Sequence, residues 1–342
     1  MSKRSERKEE HLALAQMFFD KERQNSFDQV HLLRPALPEA KVDLNSIKIK
    51  QFGKDLAAPF FIEAMTGGSQ KSKLINKQLG IIAAKTKIAM ALGSASILVK
   101  EQDQLDSFYQ ARNANPDGLI LANINPLTPA KSAEKIVTSI EADALQIHLN
   151  TVQEAAMPEG ERNFQWLDNM LAIRQEVTKP IIIKEVGFGF DQDSLLKLKN
   201  AGFNLFDVAG SGGTNFAEIE NHRNDHDVSY LEDIGLSTVL TALIANKLDL
   251  NYYVSGGVRS PLDVLKGLSL GGKMVGVANF FLQTLNKNGE NGLFELIENW
   301  KNELAILMAV YGKSKTEELT NIKKYYDLEL LNQIKQILLQ EL

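Results

Sequence analysis

Residues 143–160 read DALQIHLNTVQEAAMPEG and set His148, Asn150, Gln153 and Glu154 on and just after an apolar run. Side chains alternate along a strand, so Leu145, Ile147 and Leu149 share one face while Gln146, His148 and Asn150 share the other. The first face suits a layer of helices. The second must meet a ligand or other polar groups. A lone histidine in such a place is more often a hydrogen-bonded structural residue. An imidazole, two amides and a carboxylate together suit a diphosphate and its magnesium ion better. Glu154 offers oxygen to a hard cation, and the others hydrogen-bond to phosphate oxygens. Glu159 and Gly160, after Pro158, shape the turn.

Three glycine-bearing stretches follow later apolar runs: GSGGTNF (210–216), SGGVRS (255–260) and GVANFF (276–281). Glycines let backbone N–H groups close on an anion, and a following helix start adds its dipole. Gly257, Val258, Arg259, Ala278 and Asn279 are placed to cradle a phosphate. Asn215 stands where the third glycine of a dinucleotide fingerprint belongs, so that reading fails. Lys184 closes the apolar part of PIIIKEVG (180–187), and a buried ammonium without a partner is costly. Two roles compete for it: a Schiff-base nucleophile, or a cation beside the N1/C2 edge of a flavin. The phosphate cradle, with Thr66, Ser94 and Asn123 able to hold a planar polar ring, favours the flavin. Glu185 points to the other side of the strand, and the sequence assigns it no role. SERKEEH (5–11) sets Arg7 and Lys8 side by side. Either this is a solvated charge run or it is a mobile arm that closes over a phosphorylated substrate.

Something must position these groups. Eight short runs rich in β-branched residues recur: 59–65, 88–93, 119–125, 144–150, 180–187, 205–210, 252–257 and 273–278. Helix-like stretches such as 69–86, 194–202 and 260–271 separate them. Strand and helix in regular alternation imply right-handed crossovers and a parallel sheet. Eight units in about 220 residues predict a closed (β/α)8 TIM barrel with its site at the C-terminal strand ends. An open doubly wound sheet is the alternative, but the first strand ends in MTGGS rather than a nucleotide fingerprint. The reading is one domain: an N-terminal extension over 1–58 that carries the arm, barrel strands over 59–280, and a helical part over 281–342.

Composition narrows the class. The 342 residues are 44% hydrophobic and 24% charged, as expected of a globular protein. A net charge of −5 gives no basic face for nucleic acid. The absence of cysteine excludes disulfides, thiolate metal sites and cysteine nucleophiles, and fits a reducing cytoplasm. LAILMAVY (304–311) is too short to span a membrane. Glu6, Glu9 and Glu10 argue against a transit peptide, so the N-terminus reads as mature sequence.

On these residues the chain resembles the type 2 isopentenyl-diphosphate delta-isomerases, a family of FMN-dependent barrels. The resemblance runs through RKEEH (7–11), AMTGGS (64–69), LGS (92–94), LILANI (119–124), residues 143–160, IIKEVGFG (182–189), DVAGSGGTNFAEIE (207–220) and SGGVRS (255–260). The 143–160 block and KEVGFG are the specific ones. Ala209 stands where the family often has a hydroxyl residue, and GSAS (93–96) where it has a GSQ-type stretch.

The resemblance implies FMN held by Ala64, Met65, Thr66, Ser94, Asn123, Lys184 and Thr214, with its phosphate at Gly257–Arg259 and Ala278–Asn279. It implies substrate diphosphate on Arg7, Lys8, His148, Asn150 and Gln153, and Mg²⁺ on Glu154. Lys184, His148 and Glu220 are then the candidate catalytic groups, Glu220 as an acid positioning water. It further implies a tetramer or octamer, and NADPH as the reductant of the flavin. The reaction implied is the reversible conversion of isopentenyl to dimethylallyl diphosphate, with reduced FMN as acid–base catalyst and no net redox change. Two rivals share parts of the pattern. An FMN-dependent 2-hydroxy-acid oxidoreductase needs a late His–Arg pair, for which only His222–Arg223 offers itself, in what reads as a loop. A flavin-binding protein without activity has no use for Gln153, Glu154 and the arm.

Overall fold

The apolar runs form eight parallel strands: β1 (Phe60–Ile62), β2 (Ala89–Ala91), β3 (Ile120–Ile124), β4 (Ala144–Leu149), β5 (Ile181–Glu185), β6 (Leu205–Asp207), β7 (Asn251–Tyr253) and β8 (Val275–Val277). In this computed structural model, which describes residues 3–20 and 22–338, β1 to β7 pair successively in chain order and β8 pairs with β1. The remaining seam closes through Val254, whose N–H donates to Met274 at 2.9 Å and whose carbonyl accepts from Gly276 at 2.8 Å. The result is a (β/α)8 barrel, as the alternation of runs predicts. Among the described residues no helix is long and apolar enough to cross a membrane.

Helices α1–α12 run in chain order: Lys3–Met17, Gln70–Thr86, Leu105–Ala114, Ala130–Ile140, Thr151–Ala156, Leu167–Glu176, Gln192–Asn200, Phe216–Arg223, Thr238–Lys247, Pro261–Ser269, Asn279–Val310 and Leu328–Leu338. Local chemistry sets several starts. Ser69, Asp191, Ser237 and Ser260 each accept a backbone N–H at a helix N-terminus, and Pro261 opens its helix where a missing N–H costs nothing. α11 is interrupted at Gly289. The extensions meet each other, since strand Val30–Leu32 pairs antiparallel with Lys324–Tyr326.

The two ends of the barrel differ in chemistry. A hairpin, Ile49–Gln51 with Lys54–Leu56, covers the N-terminal end, and Leu56 joins an apolar layer with Phe61, Leu121, Ala144, Ile182 and Tyr253. Two residues further along the same strands, on the same face, stand Glu63, Asn123, Gln146, Lys184 and Ser255, and Asp207 follows the partly buried Leu205. All six are at most 6% exposed. An apolar plug below and a buried polar layer above is an expensive arrangement. It points to a site above the layer.

Candidate active site

Above the polar layer opens a cavity of ≈ 980 Å³ at the C-terminal ends of the strands, roofed by α1. It gathers nearly every group singled out in the sequence. Ala64, Met65, Thr66, Ser94 and Asn123 line one side; Lys184 and His148 the floor; Thr214, Gly257, Val258, Ala278 and Asn279 the far side. Arg7, Lys8, Asn150, Gln153 and Glu154 form the rim.

The polar layer has a direction, set by one backbone group. The N–H of Ala64 donates to Glu63 Oε1 at 2.7 Å, so that oxygen is an acceptor. Gln146 therefore presents its amide nitrogen to the same oxygen, at 3.1 Å, and its carbonyl to Asn123 Nδ2, at 2.9 Å. Asn123 then presents its carbonyl to His148 Nδ1 at 2.6 Å. The imidazole must carry its hydrogen on Nδ1, leaving Nε2 a bare acceptor. Burial, then Lys8 and Lys184, push the His148 pKa down to about 3. The expectation that His148 donates to an anion needs amending: it does so only if the anion's charge restores a proton to Nε2. An ordinary histidine is roughly three quarters protonated at pH 6. Nitrogen NMR on the free protein at that pH should instead show His148 neutral with its proton on Nδ1, and a doubly protonated ring would contradict the relay.

Lys184 sits at the other end of this layer. Its Nζ donates to Asp207 Oδ2 at 3.1 Å and to Ser255 Oγ at 3.2 Å, and lies 3.5 Å from Glu63 Oε2. Desolvation favours the neutral amine, but its acidic surroundings, Asp207 foremost, outweigh it and hold the ammonium above its ordinary pKa. A charged lysine is a poor Schiff-base nucleophile and a good fixed cation.

The cradle is built from backbone. Gly256 and Gly257 both have positive φ, 94° and 84°, and a side chain on Gly257 would fall 2.7 Å from the Gly212 carbonyl. Two loops thus pack backbone to backbone, and the N–H groups of Gly257 and Val258 donate to no acceptor among the described residues. The Arg259 guanidinium is held by Asp28 at 2.6 Å and the Arg23 carbonyl at 2.7 Å, and the residue's own N–H goes to Asp263 at 3.0 Å. Arg259 lines the cavity and at the same time fastens the N-terminal extension to the cradle.

Residues 7 and 8 lie in helix α1. Lys8 Nζ donates to the Ser94 carbonyl and lies 5.6 Å from the centre of the Phe108 ring, and Arg7 reaches Glu159 at 3.3 Å. Glu159, read as part of a turn, also receives Arg223 at 3.1 Å. Glu220 is fully buried and does not line the cavity. Its oxygens take His11 at 2.8 Å, Gln153 at 3.1 Å and Arg223 at 2.5 Å. Burial opposes its ionisation, but these partners lower its pKa. Glu220 is therefore a carboxylate that ties α1, α5 and α8 together. Gly160 does shape its turn, because a side chain there would meet the Glu154 carbonyl.

Sequence reading missed Glu63, Asp207, Ser255, His11 and Arg223, and gave Glu185 no role. One Glu185 oxygen accepts the backbone N–H groups of Val186, Gly187, Phe188 and Gly189, at 2.6–3.0 Å. It shapes the loop behind Lys184. Glu154 accepts from Asn150 at 3.1 Å and from the Glu161 N–H at 2.8 Å. Among the described residues no three carboxylates or imidazoles converge. A cation on Glu154 would thus draw most of its ligands from substrate and water, a habit of Mg²⁺.

A family profile for FMN-dependent dehydrogenases matches residues 120–324. Proteins named isopentenyl-diphosphate delta-isomerase are similar over nearly the whole chain. The one from Limosilactobacillus reuteri is 39% identical, with 98% of each chain covered. That from Staphylococcus haemolyticus is 39% identical, covering 97% of this chain and 96% of its own, and that from Moorella thermoacetica is 41% identical, covering 92% of each. The chain belongs to the type 2 isopentenyl-diphosphate delta-isomerase family. Among solved structures, a flavocytochrome b2 variant with benzoylformate superimposes with a TM-score of 0.67 at 18% identity, covering 90% of this chain and 81% of that one. A mandelate oxidase variant does so at 0.61 and 15%, covering 93% and 92%. At that identity the likeness speaks for the barrel alone. The likeness in sequence over nearly the whole chain is to the delta-isomerases.

Proposed function

We propose that this chain interconverts isopentenyl and dimethylallyl diphosphate, using reduced FMN, Mg²⁺ and NADPH as the flavin's reductant. The observation that carries this reading is one cavity with a fixed cation in its floor and a rim on which Arg7, Lys8, Asn150 and Gln153 stand beside Glu154.

The residues present fit FMN. The open N–H groups of Gly257 and Val258, and the N-terminus of α11 at Asn279, suit its phosphate. Ala64, Met65, Thr66, Ser94, Asn123 and Thr214 would border the ring, with Lys184 beneath it. When bound, the reduced flavin supplies a proton donor and acceptor. Every other contribution is the chain's own. Lys184, already charged, would stabilise negative charge on the ring without reorganising. Arg7, Lys8, Asn150 and Gln153 would orient the diphosphate and, with a metal on Glu154, neutralise it. His148 would accept a proton at Nε2 as the anion arrives.

The oxidoreductase reading loses its catalytic pair. Arg223 is taken by Glu10, Glu159 and Glu220, while His222 packs edge-on against Phe18 at 5.7 Å and does not line the cavity. The reading extends to a cytoplasmic homo-oligomer, tetramer or octamer, which light scattering on the purified protein measures. The deciding experiment is anaerobic. Protein with FMN, NADPH, Mg²⁺ and isopentenyl diphosphate should yield dimethylallyl diphosphate, and leaving out flavin or metal should abolish it. FMN-loaded protein without product would refute the reading.

A further inference from the structure

Only one oxygen of Glu63 serves the relay to His148, yet the residue lies in the centre of the barrel, 2% exposed, beside two other buried ionisable groups. Its two oxygens are differently placed. Oε1 accepts twice, from the Ala64 N–H at 2.7 Å and from Gln146 Nε2 at 3.1 Å. Oε2 is buried without a hydrogen-bond partner among the described residues, and its nearest cation, Lys184 Nζ, is 3.5 Å away. Asp207 faces it within hydrogen-bonding reach, and both Asp207 oxygens are already acceptors, Oδ1 from Ser255 at 2.6 Å and Oδ2 from Lys184 at 3.1 Å. Two carboxylates in one buried site do not both ionise beside a single lysine. The sequence makes room for the larger of them, since a side chain on Gly276 would stand 2.7 Å from Oε2.

We propose that Glu63 is a neutral carboxylic acid whose proton rides on Oε2 and is shared with Asp207, so that the Lys184 ammonium is balanced by one carboxylate and not two. Glu63 is then a positioning residue for Lys184. A second negative charge would draw the ammonium down into the barrel and leave the cavity floor anionic. With one, the floor stays neutral overall and the cation keeps its place at the surface of the cavity. The consequence for the ring above rests on the flavin reading; the protonation itself does not.

The ionisable groups facing Glu63 are Lys184 from β5, Asp207 from β6 and Tyr253 from β7. Burial raises the Glu63 pKa, Lys184 opposes this and Asp207 adds to it, leaving it at about 8. The acid is therefore held above its unfolded value of 4.5. An unfolded chain releases this proton near 4.5 while the folded one keeps it to about 8, so folding stability from this group is full at low pH and falls as pH rises between them.

The test uses the full chain loaded with FMN. Infrared difference spectra of wild type minus Glu63→Gln at pH 7 should show the C=O stretch of a protonated carboxyl, flavin bands cancelling, and wild type alone should lose that band as pH passes about 8. The thermal midpoint of wild type should fall relative to Glu63→Gln as pH rises from about 4.5 to about 8. Asp207→Asn gives an independent check. With the aspartate gone, Glu63 becomes the lysine's only anion, and its protonated band should vanish at neutral pH. Carboxylate bands for Glu63 in the wild type at pH 7, or a pH-independent midpoint difference, overturn the proposal. The flavin consequence reads separately. Raising pH through 8 should lower the FMN reduction potential by an additional step in wild type that Glu63→Gln lacks. An infrared band without that step would keep the protonation and reject only the coupling to flavin.

Discussion

Lys184→Met is expected to lower turnover by about 10²–10³-fold, the size of loss seen when a preorganised charge stabiliser is removed, and to destabilise the fold as well. The second effect follows from what the lysine leaves behind. Asp207 is wholly buried and keeps only Ser255 and the shared Glu63 proton as partners. Breaking a buried ion pair from one side costs roughly 3–5 kcal/mol, because the other charge stays where water cannot reach it. A loss of activity in this variant would therefore be ambiguous alone. Pairing it with Asp207→Asn removes the ambiguity, since the double variant carries no uncompensated charge. It should recover most of the stability in urea unfolding while turnover stays low. If activity returns with stability, Lys184 serves only the fold and the role given to it beside the flavin is wrong. Lys184→Arg is a useful companion. It keeps the charge but puts a broad, flat fork where Asp207 and Ser255 grip a compact ammonium, so it should fold and still turn over slowly.

The strands were legible because a barrel strand is covered on both faces and reads as an apolar run with turns at its ends. The rim was legible too. Gln153 and Glu154 stand within one turn of α5, directly after β4, so a local stretch of sequence carried the pattern. What escaped was the layer beneath. Glu63 and Asp207 each interrupt an apolar run by one residue, in FFIEAM and LFDVAG, and such an interruption reads as an exception until the neighbouring strands are in register. The signal was available. Phe61 and Glu63, Ile182 and Lys184, Tyr253 and Ser255 repeat the same apolar-to-polar step on three strands. The His11–Glu220–Arg223 cluster had no such signal, because α1 and α8 lie more than 200 residues apart along the chain and meet only in the fold. Glu185 shows a third kind of failure. Alternation sent it to the correct side of the strand, but four backbone donors gathered by a loop leave no mark in residue types.

Glu154→Gln should separate binding from turnover more sharply than any other rim substitution. The change keeps size and one acceptor oxygen but removes the negative charge of Glu154, whose oxygens take only Asn150 and the Glu161 N–H among the described residues. The fold has little to lose. Asn150 and the Glu161 N–H both donate to Glu154, and the amide of a glutamine can accept only one of them, a loss of about 1 kcal/mol. FMN affinity should be unchanged, because Glu154 sits across the cavity rim from the glycine cradle. A metal held through one carboxylate and substrate oxygens, however, depends on that carboxylate for its position. Turnover should fall on the order of 10²–10³-fold, equivalent to several kcal/mol of charge stabilisation, and excess Mg²⁺ should restore only part of it. The substrate dependence discriminates further. If the metal chiefly neutralises the diphosphate, the loss appears as weaker binding of isopentenyl diphosphate at unchanged kcat. If it fixes the alkene over the ring, kcat falls at saturation. Arg7 and Lys8 already bring positive charge to the rim, so neutralisation has other sources and orientation does not. The loss is therefore expected in kcat. Turnover that persists unchanged would remove the metal from Glu154 and return the carboxylate to its visible task, holding Asn150 against the loop that follows α5.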